Sequence, residues 1–126
     1  MEAGKILIFL CGIYALAFAI FHILFWKLFD WKNNLKKINF VNRAIIQIAN
    51  LRLIYFFVFV SAICFLFPYE LTETKFGRFF MIGISVFCLG RTIEQFIFFR
   101  VNNKWVNLLT IILIAGTILF ALPVFL

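Results

Sequence analysis

The sequence predicts an all-α integral membrane protein: an up-and-down bundle of four transmembrane helices, with a short basic interfacial segment between the first two. Three observations carry this. Hydrophobic residues make up 66% of the 126 and charged residues only 13%, whereas a soluble domain carries about 25% charged residues. The apolar residues gather in four runs, each close to the roughly 20 residues a helix needs to cross the hydrocarbon. Most Lys and Arg residues fall between these runs. A soluble domain of this size buries only about two-thirds of its surface, and this composition has no polar coat for the rest. The same numbers exclude a disordered chain and a nucleic-acid partner. The net charge of +7 is distributed where topology and anionic headgroups account for it.

The first run covers roughly residues 5–29. Ala17, Phe18 and Ala19 fit a signal-peptidase pattern, but the apolar run continues unbroken past them, so an uncleaved helix is expected. In the following segment, 30–42, Trp31, Leu35 and Ile38 recur at helical spacing while Lys32, Lys36 and Lys37 fill other positions. That pattern fits a short helix lying in the interface, its lysines reaching anionic headgroups, or a loop that only enforces topology. The second run, roughly 44–67, stops before Pro68, the third covers roughly 79–99 and the fourth roughly 105–125. None alternates as a membrane strand would, and each is too long for one. Trp26, Trp31 and Trp105 stand at run ends, as interfacial anchors do. With no convincing internal repeat, the whole chain, 1–126, is expected to be one membrane domain.

Orientation follows from counting cations. Lys27, Lys32, Lys36, Lys37, Arg43, Arg100 and Lys104 give seven on the side of loops one and three, against Lys5, Lys75 and Arg78, three, on the other. The positive-inside rule places loops one and three in the cytoplasm and both termini outside, in an arrangement that suits a bacterial inner (plasma) membrane.

Polar groups inside a span are costly and so become candidate site residues. At about 1.5 Å per residue, His22, Gln47, Asn50, Arg91, Glu94, Gln95, Asn107 and Thr110 fall in one slab in the cytoplasmic half. Helical spacing gives each run a small or polar stripe: Gly12, Ala15, Ala19, His22 and Trp26; Arg43, Gln47, Asn50, Ile54 and Ser61; Gly83, Phe87, Gly90 and Glu94, with Arg91 at its edge; Asn107, Thr110, Ile114, Thr117 and Ala121. Turned inward, these stripes would line a pocket open to the cytoplasm. Arg52 lies on the face opposite Gln47 and Asn50, free to snorkel or to face another subunit.

Arg91 and Glu94 can pair within the slab, but if Arg52 or Arg43 also reaches it the site has surplus positive charge, which points to an anion. The expected function is binding of a lipid-like or amphipathic anionic small molecule, with Arg91 on the anion, Gln47 and Asn50 as orienting amides, Gln95 as a further ligand-binding residue, and His22 with Glu94 as a proton handle. The competing reading closes these groups on one another as interhelical glue. Two further alternatives are an acid–base enzyme of the isomerase kind acting on a lipid or isoprenoid through His22 and Glu94, and a structural subunit or small oligomeric carrier or channel, for which a homodimer would be the unit. No cofactor and no metal site are expected. His22 is the only histidine, no two of Cys11, Cys64 and Cys88 form a Cys-x-x-Cys pair, and zinc needs three or four ligands.

Overall fold

The computed structural model describes residues 2–98 and 104–125. Over these residues the chain forms seven helices and no strand. They are α1 (Glu2–Ile23), α2 (Phe25–Leu28), α3 (Trp31–Asn34), α4 (Phe40–Leu66), α5 (Pro68–Glu73), α6 (Lys75–Phe98) and α7 (Lys104–Phe125), with a turn of 3₁₀ helix at Leu35–Lys37 after α3. Four of these, α1, α4, α6 and α7, are long and apolar enough to cross a membrane. The protein is an all-α four-helix membrane bundle. Arg100, counted with loop three, and the last residue of the third apolar run lie outside the described residues.

Helix ends depart from the apolar runs for local reasons. The first run reaches residue 29, but α1 stops at Ile23. The Leu24 amide is shared between the carbonyls of Ile20 and Phe21, both at 3.1 Å, the tightening expected of a final turn. At the same turn the His22 carbonyl accepts from the Asn50 side chain. The chain then turns at Asp30, held in the left-handed conformation at φ 50°, which short polar Asp tolerates better than most residues. Its carboxylate accepts from Asn33 Nδ2 at 3.1 and 3.2 Å. In the segment beyond, Leu35 is buried and Trp31 half-buried, while Lys32, Lys36 and Lys37 are exposed. Asn39 caps α4, its Oδ1 accepting from the Asn42 amide at 2.8 Å, as N-cap side chains do. Pro68 opens α5 at a position where its missing amide proton costs nothing. Lys75 and Arg78, assigned to a loop by the apolar run, stand in the first turns of α6.

The bundle is built as two pairs. α1 packs most extensively on α4, and α6 on α7, while α1 and α7 join the pairs. Small residues on α1 permit its close approach: Gly12, Ala15 and Ala19 are buried, and the Gly12 carbonyl accepts from Ser61 Oγ at 2.8 Å. Ser85 Oγ reaches the Thr117 carbonyl at 2.6 Å between α6 and α7, and Tyr14 donates to the Ile112 carbonyl at 2.6 Å between α1 and α7. Tyr14→Phe removes that last bond and should destabilise the bundle by about 1 kcal/mol. Reversible unfolding in bicelles would measure it, and no change would mean the hydroxyl is not needed at this contact. The fourth side is different. α4 and α6 scarcely approach at the backbone, and their gap is spanned by rings: Phe87 lies 5.4 Å from Phe56 and 6.2 Å from Phe57.

The inward faces of α1 and α4 carry the stripes read from sequence, but those of α6 and α7 do not. On α6 the buried stripe is Gly77, Met81, Ile84, Ser85, Cys88, Thr92 and Gln95, whereas Gly83 and Glu94 are exposed and Gly90 is half-exposed. On α7 it is Val106, Leu109, Leu113, Gly116, Phe120 and Pro123, whereas Asn107 and Ile114 are exposed. On α7 the cause is that a threonine hydroxyl satisfies itself on the preceding turn. Thr110 and Thr117 donate to the carbonyls of Val106 and Leu113, both at 3.0 Å, so neither hydroxyl needs a partner on another helix.

Candidate functional site

The polar groups gather at the end of the bundle that carries the basic segment, but as separate units. His22 and Asn50 form one. His22 Nδ1 lies 2.9 Å from Asn50 Oδ1, and Asn50 Nδ2 donates to the His22 carbonyl at 2.8 Å. The carbonyl only accepts, so the amide nitrogen must face it, and the amide oxygen then requires the proton on Nδ1. The neutral ring is thereby fixed in one tautomer, with Nε2 as a bare acceptor. Rings hold it in place: Phe25 at 4.3 Å, Phe18 at 5.0 Å and Phe57 at 5.4 Å between centroids.

A second unit is Arg91 with Gln95 and Glu94. Gln95 is buried and donates to the Val106 carbonyl at 3.1 Å, tying α6 to α7. Its oxygen accepts from Arg91 Nη2 at 3.3 Å. Glu94 lies 3.6 Å from Arg91, with side-chain exposures of 32% for Arg91 and 55% for Glu94. An ion pair this open contributes little. The acid–base pair expected of His22 and Glu94 is not what the fold assembles: the group that orients His22 is Asn50, and Glu94 sits on the outer edge of α6. A third unit is Trp26, whose Nε1 donates to Gln47 Oε1 at 3.0 Å while Gln47 Nε2 donates to the Arg43 carbonyl at 3.2 Å. Gln47 therefore anchors Trp26.

Two cavities meet at Arg91. One, of about 160 Å³, has His22 and Arg91 as its polar lining and Phe18, Leu53, Phe57, Phe87, Leu109 and Leu113 as its walls. The other, of about 220 Å³, lies between Arg91 and the interfacial segment, bounded by Phe25, Phe29, Trp31, Val106 and Leu109. Among the described residues no fully buried side-chain nitrogen or oxygen lacks a partner, and the His22 side chain borders the first cavity. The arrangement can do one thing plainly. It offers a guanidinium donor and an imidazole acceptor to a polar head, and aromatic walls to an apolar tail.

Comparison with protein-family models, with curated proteins and with solved structures finds no match for this chain. The site therefore stands on its own geometry.

At the interfacial end, Trp31 stacks edge-on with Trp26 at 5.2 Å and with Phe25 at 5.8 Å. Lys104 lies 5.2 Å over the Trp105 ring. Cys11, Cys64 and Cys88 are buried free thiols, and among the described residues no three His, Cys, Asp or Glu side chains converge as a metal would require. Sequence reasoning placed Phe87 on a pocket-lining stripe but missed Phe18 and Phe57 as cavity walls. With 20 phenylalanines spread over every span, no signal singled them out.

Proposed function

We propose that this protein binds an amphipathic anionic small molecule, with a carboxylate or phosphate head and an apolar tail, in an intramembrane pocket opening at the cytoplasmic leaflet. The observation that carries this reading is the position of Arg91, a cation where two apolar-walled cavities meet, held by the Gln95 amide and paired with an exposed Glu94. The head binds Arg91 and accepts its hydrogen bonds. A protonated oxygen of the head, where one is present, donates to His22 Nε2. The tail lies along the phenylalanine walls. The asymmetry of seven cations against three supports a cytoplasmic orientation of this end and an inner-membrane setting.

Native mass spectrometry of the gently extracted protein tests this. The expected result is a defined anionic species bound to the wild type and weakened at least about tenfold in Arg91→Gln, since charge-assisted bonds are the strong ones. A wild type that carries no ligand, or a ligand indifferent to Arg91→Gln, would overturn the reading. The fixed tautomer of His22 also favours a second reading, proton transfer on the bound molecule through Nε2. His22→Gln would then abolish turnover while leaving the ligand bound.

A further inference from the structure

The open α4–α6 side carries two charges that the folded chain leaves facing outward. On α4, Leu53 lines the cavity shared with Arg91. Its neighbour Arg52 is rotated by about 100° and is exposed, its guanidinium 5.8 Å from the Tyr55 ring. Tyr55 stacks on Phe59 at 6.0 Å, and Phe59 borders the cleft that separates α4 from α6 nearer the termini. This stripe forms one lip of the open side. On α6, the contacts of Phe87 with Phe56 and Phe57 mark the direction of α4. Glu94, two turns on, shares that face and forms the other lip. Gly83 and Gly90 lie along the same edge, and a methyl group added at either would meet nothing within 4 Å.

We propose that a second copy of this chain closes the open side, forming a parallel two-fold dimer in which Arg52 of each protomer meets Glu94 of the other. The depths agree. Arg52 stands one residue from Leu53, and Glu94 three from Arg91, both towards the basic end, so the two lie within about one helical turn of each other. The handedness agrees as well. Across a two-fold axis parallel to the helices, the cationic lip of one copy faces the anionic lip of its mate, so the patch is self-complementary. Among the described residues Arg52 has no carboxylate within ion-pair reach, and an outward charge at this depth is costly in hydrocarbon. A lipid phosphate would serve Arg52 alone, whereas a second copy serves Arg52 and gives the exposed Glu94, 3.6 Å from Arg91, a second cation. The glycines let the partner helix approach closely, and the aromatic ridge of Tyr55 and Phe59 supplies contact area.

The test is single-molecule photobleaching of the labelled full chain in lipid bilayers over a series of protein-to-lipid ratios. The wild type should dimerise. Gly90→Leu, whose Cβ meets nothing within 4 Å inside the protomer, should weaken dimerisation at least about tenfold while leaving helicity and unfolding unchanged. Arg52→Glu and Glu94→Arg should each weaken it similarly, and the double exchange should restore it to within about threefold of wild type. A wild type that stays monomeric at every density overturns the proposal, including one whose Arg52 instead selects anionic lipid. So does a dimer indifferent to Gly90→Leu and to the single reversals, and so does a double exchange that fails to recover.

Discussion

Replacing Gly77 by alanine should destabilise the protein by about 3 kcal/mol, the scale of a rigid overpacking clash. The new Cβ would fall against the Glu70 carbonyl oxygen and the Leu71 Cα, and only 2.8 Å from the Glu70 carbonyl carbon. These are backbone atoms of α5, so no side-chain rotation relieves the contact. The only relief is to lift α5 off α6. That motion strains the Thr74 hydroxyl, which donates to the Glu70 carbonyl at 2.6 Å and accepts from the Gly77 amide at 3.0 Å. It also opens the Leu71 side chain, buried in the core cluster with Met81 and Phe120. Gly83→Ala is the matched control. It adds the same methyl where nothing lies within 4 Å, and it should be neutral or gain up to about 1 kcal/mol from helix propensity. Reversible unfolding of both variants in bicelles decides the matter. Equal stabilities would show that α5 is not clamped against α6 as described.

Asn50→Leu should cost about 1 to 2 kcal/mol. The substitution roughly keeps volume but leaves the His22 carbonyl and Nδ1 without the partners they have at 2.8 and 2.9 Å. Stranding a buried polar group costs about 1–3 kcal/mol, and interhelical bonds within membranes fall toward the low end of such values. Because the two residues form a single unit, His22→Phe with Asn50→Leu should cost clearly less than the sum of the single changes. Glu94→Gln should leave unfolding within about 0.5 kcal/mol of wild type, as befits an exposed ion pair. A large loss in Glu94→Gln with none in Asn50→Leu would reverse the assignment of what orients His22.

The class of the fold, the four spans and the inward faces of the first and second long helices were legible in the sequence, because hydrophobic run length and small-residue spacing are strong signals. Gly12, Ala15, Ala19 and His22 share a helical stripe whatever the partner helix is. The faces of α6 and α7 were not legible. Thr110 and Thr117 resemble a polar face but bond to their own helix, and Gly83 and Gly90 border an opening instead of a close contact. The slab of polar residues was legible by depth alone. Its division into His22–Asn50, Trp26–Gln47 and Arg91–Gln95 depends on rotation about each axis and on the break at Leu24, which hydropathy does not encode. Nor does a single sequence distinguish Phe18 and Phe57, which wall the cavity, from the phenylalanines that face outward.

The length of α4 sets the protein a constraint of its own. Its 27 residues measure about 40 Å along the axis, against a hydrocarbon thickness of about 30 Å. Its partner α1 has only 22, so the two cannot be matched to the bilayer by the same tilt. A surplus at the capped end would leave Asn39, Asn42 and Arg43 outside the hydrocarbon and the Trp26–Gln47 bond near its edge. A thicker, sterol-rich bilayer would draw that bond and the Arg91 region inward, while a thinner one would let both ride nearer the headgroups. Bilayer thickness would thus set how far the Arg91 region lies from the headgroups.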